Sequence, residues 1–152
     1  MLEIDKIDKL LKESVTSDVE KNKFSKITKH IYVTSAEGVK EDLITNMDRM
    51  IGLDDDIGGK HIPITPDNFL KEIPKVITLL DFCTKNSKNI LLVGDAAESC
   101  IIYYFLLRLH ESFSTDGLYK IFKFIQNKRP CLFPDQRYVS IIYTKYVDIR
   151  LI

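Results

Sequence analysis

At 152 residues the chain is long enough for one domain with a proper core. Its 22 Lys plus Arg balance 22 Asp plus Glu, and this neutrality gives no general support for a nucleic acid or a membrane surface as partner. Cys83, Cys100 and Cys131 have no metal-ligand spacing and leave one unpaired in any disulfide scheme, so a reduced intracellular protein without metal or cofactor is expected.

Residues 2–15 suit an amphipathic helix, with Ile4, Ile7, Leu11 and Val15 at helical spacing and Lys6, Lys9, Lys12 and Glu13 on the other side. The same stretch alternates charge with apolar residues and has no uninterrupted apolar core of a signal peptide. The stripe needs an apolar partner, either the chain's own core or a second subunit; periodicity does not choose between them. Ser17-x-x-Glu20 fits a capping box for a second short turn. Residues 20–29 are lysine-rich and read as a solvated connector. These features divide the chain into an N-terminal helical arm, 1–26, and a core domain, 27–152.

The core opens with a strand at 30–33 and an exit turn at 35–38, then a short helix at 40–46 and a second strand at 49–53. The acidic turn 54–59 lacks the alternating oxygen ligands and distal glutamate of a calcium loop. A third strand at 60–64 leads to the loop 65–68. Phe69, Ile73, Val76, Ile77 and Leu80 mark one face of a helix, in which Pro74 predicts a kink or a later start. Asp67 suits the N-cap of that helix.

Residues 89–102, NILLVGDAAESCII, form the centre of the pattern. Asn89 to Val93 read as a buried strand, followed by a short loop and an almost wholly apolar helix from Ser99 that is buried all round. The apolar run 101–109 is too short to span a bilayer. A strand, tight loop and helix N-terminus is a geometry that holds phosphate, because the free N–H groups point at the anion. Here the loop carries two carboxylates, Asp95 and Glu98, which argue against that use. An amphipathic helix at 116–126, a rigid connector at 129–134 and a last helix at 135–147 follow. Alternating strands and helices predict an α/β fold with a mostly parallel sheet.

In this order and spacing the chain resembles a dual-specificity protein phosphatase of the cysteine-dependent tyrosine phosphatase superfamily, over about residues 27–146. Ile27-Thr28-Lys29-His30-Ile31-Tyr32-Val33 matches the family's opening strand, and His61-Ile62-Pro63-Ile64 the strand before the general-acid loop. Leu91-Leu92-Val93-Gly94-Asp95-Ala96-Ala97 stands in place of V-L-V-H-C-x-x-G. Asn127-Lys128-Arg129-Pro130 through Phe133-Pro134-Asp135 matches the R-x-x-x-x-P-N-x-G-F ending. The compact poxviral members look most similar, since they carry a short N-terminal helical arm that takes part in homodimerisation. The resemblance therefore implies the dual-specificity phosphatase fold, a homodimer through Ile4, Ile7, Leu11 and Val15, and a setting in the host cytoplasm or the virion.

The chain departs from that family at the reacting loop, whose chemistry needs His-Cys-x5-Arg-Ser/Thr. The thiolate attacks phosphorus, while loop N–H groups and the arginine fork hold the phosphoryl oxygens. Here the histidine position is Gly94, the nucleophile Asp95, the loop glycine Glu98, the arginine Ile101 and the residue after it Ile102; only Ala96 and Ala97 look ordinary. Ser99 and Cys100 lie between, and Cys100 falls in the first turn of a buried helix, where thiols are inert. Asp67 falls near the general-acid position with nothing to assist. The expectation is an inactive phosphatase-like protein, a pseudophosphatase, that acts through contacts with itself and with an unidentified protein partner. Two alternatives are a residual or altered phosphohydrolase using Asp95 and Glu98, and a non-catalytic trap for phosphoproteins.

Overall fold

The sheet forms where the sequence places its buried apolar runs. A computed structural model describes residues 3–15, 17–39, 44–54, 60–109 and 117–150. Helix α1 (Glu3–Lys12) and a single turn α2 (Asp18–Lys21) precede strands β1 (Ser25–Lys26), β2 (Ile31–Thr34), β3 (Arg49–Gly52) and β4 (Lys60–His61). Helix α3 (Phe69–Lys85), strand β5 (Ile90–Val93) and helices α4 (Ala97–Leu109), α5 (Gly117–Lys128) and α6 (Gln136–Arg150) follow.

The five strands lie in the order β1-β2-β5-β3-β4. All pairs are parallel except β1 with β2. Strand β5 occupies the middle, and Leu92 faces Val33 on one side and Ile51 on the other. A central parallel strand is covered on both faces, which is why Ile90, Leu91, Leu92 and Val93 are all apolar and all buried. The expected α/β architecture is the one observed.

Local differences have local causes. Ser25–Lys26 lies in the stretch read as a connector but pairs antiparallel with Tyr32 and Val33. Two residues carry no periodicity, so only the neighbouring strand reveals them. Strand β4 is two residues long, although Ile62 N still donates to Gly52 O at 3.0 Å and Ile64 N to Leu53 O at 2.8 Å. Helix α3 neither starts late nor avoids Pro74: it runs from Phe69 with the proline inside it. The proline removes the bond to the Leu70 carbonyl, on a face where Leu70 and Pro74 are both exposed. Helix α4 begins at Ala97, two residues before Ser99. The expected helix at 40–46 and the acidic turn at 54–59 fall largely outside the described residues.

The N-terminal arm lies on its own chain. Ile7 and Leu11 are buried together with Leu10, in the same apolar cluster as Ile121, Phe122 and Ile125 of α5. Full burial of each such side chain contributes about 1.5–3 kcal/mol. Polar ties also fasten the arm, among them Tyr119 N donating to Glu3 Oε1 at 2.9 Å, Gln126 Nε2 to Leu10 O at 2.8 Å, and Val15 N to Pro130 O at 2.9 Å. The stripe read from the sequence thus divides. Ile7 and Leu11 point inward, while Ile4 and Val15 remain 41% and 50% exposed.

Candidate functional site

Strand β5 leaves the sheet through Gly94, whose φ of +125° is a conformation that side chains strain to adopt. A Cβ at this position would lie 2.5 Å from Asp54 Oδ2 and 2.9 Å from its Cγ, so a side chain here would also have to displace the Asp54 carboxylate. The next N–H, that of Asp95, donates to Asp54 Oδ2. The Asp95 side chain is exposed, whereas Ala96 and Ala97 are buried and already turn into α4.

Glu98 lies in the first turn of α4 and is held by two partners. Its Oε2 accepts from Arg129 Nε at 2.8 Å and its Oε1 from Phe133 N at 3.0 Å. Arg129 is only 3% exposed. Its remaining donors reach Ser25 Oγ at 2.9 Å, Lys23 O at 3.2 Å and Lys21 O at 3.0 Å. One ion pair therefore joins the start of α4, the segment leading into β1, and the connector before α6. Burial pushes the Glu98 carboxyl above its ordinary value, against the opposing pull of Arg129 and the Phe133 N–H.

The rest of the strand–loop–helix unit is closed. Cys100, Ile101 and Ile102 are fully buried. Burial, with the Asp54 charge second, pushes the Cys100 thiol far up, away from the thiolate that nucleophilic attack requires. Ser99 Oγ and Thr34 Oγ1 are buried with no hydrogen-bond partner among the described residues. Beside the loop lies an open cavity of about 290 Å³ whose lining includes Lys21, Asp95, Glu98, Arg129, Phe133 and Asp135. Asp95 and Glu98 do line this one cavity, but both oxygens of Glu98 are engaged.

Asp67 is exposed, does not line this cavity and does not cap α3. The capping position is Asn68, whose side chain turns backward: Oδ1 accepts from Thr65 N at 2.7 Å and Nδ2 donates to Pro63 O at 3.1 Å. The N-cap expected of Asp67 is thus displaced by one residue. Among the described residues no group of three or more His, Cys, Asp or Glu side chains is placed to hold a metal, and no helix is long and apolar enough to cross a membrane.

Two residues that matter here were not legible as site residues. Arg129 had a signal, since a glutamate in a buried helix turn needs a cation and Arg129 opens a short apolar connector. Asp54 had only a topological one: it follows β3, which the sheet sets beside β5.

No family model and no curated protein matches the sequence. Solved structures do match the fold. The tyrosine phosphatase OH1 from Orf virus aligns with a TM-score of 0.68 at 16% identity, over 93% of this chain and 97% of that one. The phosphatase domain of Yvh1 from Chaetomium thermophilum gives 0.69 at 16% identity, over 85% and 98%. The human tyrosine phosphatase-like serine/threonine/tyrosine-interacting protein gives 0.64 at 14% identity, over 85% and 98%. This chain has the dual-specificity phosphatase fold.

Proposed function

We propose that this protein is a catalytically inactive phosphatase-fold protein, a pseudophosphatase, that works through protein–protein contacts. The observation that carries the reading is the state of the strand–loop–helix unit. Its thiol, Cys100, is fully buried. At the position from which the fold's nucleophile would attack stands an exposed aspartate. The one guanidinium lining the cavity among the described residues, Arg129, is consumed by Glu98 and three further acceptors. A phosphoryl dianion entering this cavity meets the exposed Asp95 carboxylate, and helix-dipole attraction of about 0.3–1 kcal/mol is too small to offset that repulsion.

The likeness to a human phosphatase-like protein named for its interactions supports a binding role, and the likeness to Orf virus OH1 supports a viral setting, in the host cytoplasm or virion. Homodimerisation through the arm belongs to the same proposal, with Ile4 and Val15 as the residues of the stripe that face outward.

The test pairs turnover with binding: an aryl phosphate for the first, phosphotyrosine and phosphothreonine peptides beside their plain counterparts for the second. No turnover and no preference for phosphorylated peptide is the expected result. Phospho-dependent binding without turnover would make the protein a trap, and turnover would reinstate an enzyme.

A further inference from the structure

Strands β3 and β5 run parallel side by side, so their C-terminal ends deliver Asp54 and Gly94 to the same edge of the sheet. Leu53 N donates to Val93 O at 3.0 Å, carrying the ladder one step beyond the end of β3. There the Asp54 carboxylate accepts the Asp95 N–H and fills the space in front of Gly94. Two more distant groups register its charge. Burial first and Asp54 second push up both the Cys100 thiol in α4 and the Tyr138 hydroxyl on α6, the latter to about 12. The carboxylate sits on the Asp95 N–H, two residues before α4 begins, on the side of the helix where its dipole favours negative charge.

We infer that Asp54 is a built-in anion of this loop, which occupies the Asp95 N–H that an external oxyanion would otherwise meet and repels that oxyanion. The inference rests on the reading of an inactive fold and supplies a physical cause for the loss of phosphate recognition. Gly94 is part of the same device. A Cβ there would meet the Asp54 carboxylate, so the bare glycine leaves the carboxylate room at this position. Strain at Gly94 is absent because glycine tolerates its φ, and the loop N–H is satisfied without a ligand.

The experiment follows the backbone amide signals of residues 95–98 while inorganic phosphate is added to the wild type, to Asp54→Ala and to Asp54→Asn. Removing one like charge at contact range is expected to tighten phosphate binding at least about tenfold in either variant. Asp54→Asn keeps the size of the side chain and carries the comparison if Asp54→Ala does not fold. Equal affinity across the folded proteins, whether all bind or none does, overturns the inference. It would leave an absence of turnover standing, because turnover is read separately with the aryl phosphate.

Discussion

Gly94 and Asp54 constrain each other. The glycine holds φ +125°, and a Cβ there would meet the Asp54 carboxylate at 2.5 Å. Gly94→Ala is expected to cost about 1–3 kcal/mol from backbone strain alone, with crowding added. Chemical denaturation measures it, and the cost should shrink in an Asp54→Gly background, which removes the crowding and leaves the strain. The thiols make a second case at this scale. Cys83, Cys100 and Cys131 are all buried, and burial raises all three above the ordinary thiol value. Alkylation at neutral pH should therefore modify none of them in the native protein and all three after unfolding. Rapid native labelling of Cys100 would contradict its place in the closed first turn of α4.

At the scale of elements, the Glu98–Arg129 pair is a tie between segments far apart in sequence. It clamps α4 to the entry of β1 and to the connector before α6. Arg129→Met should destabilise by about 3–5 kcal/mol, because it strands a buried carboxylate. The pH dependence of that loss has a definite sign. Burial raises the Glu98 carboxyl above 4.5, and without Arg129 only the Phe133 N–H and the more weakly acting Lys21 charge oppose the rise. The folded variant then holds a proton that the unfolded chain has already released. Its stability is fully present below about 4.5 and falls as pH climbs through the folded-state value. The deficit against wild type should therefore be smallest in acid and grow toward neutrality. A pH-independent deficit would mean that Glu98 finds another partner.

For the whole molecule, the arm belongs energetically to the core. Ile7, Leu10 and Leu11 join the apolar cluster, and the arm's polar ties reach α5 and the connector at Pro130. The outward residues are the ones available to a second subunit. Ile4→Asp combined with Val15→Asp should shift the protein toward monomer on a sizing column at unchanged thermal stability, whereas Ile7→Ala should cost about 2–5 kcal/mol. An unchanged elution volume for the double variant would remove the arm from the dimer proposal.

The sequence by itself determined the alternation of strands and helices, the central place of Ile90–Val93 and the burial of α4, because continuous apolar runs leave a chain few other ways to leave water. It also determined which residues occupy the reacting loop, since that is a matter of identity and order. Tertiary structure decided the rest. Periodicity placed Ile7 and Leu11 on one face but could not say what covers that face, and it missed Leu10, which packs beside them. Asp95 and Glu98 read as a pair of like charges on one loop, yet the Asp95 side chain is exposed while its backbone N–H meets Asp54, and the Glu98 carboxylate is locked onto Arg129. Those partners lie 41 and 31 residues away in sequence. Contacts over such distances leave no local pattern in the chain, because they are set by which strand lies beside which in the sheet.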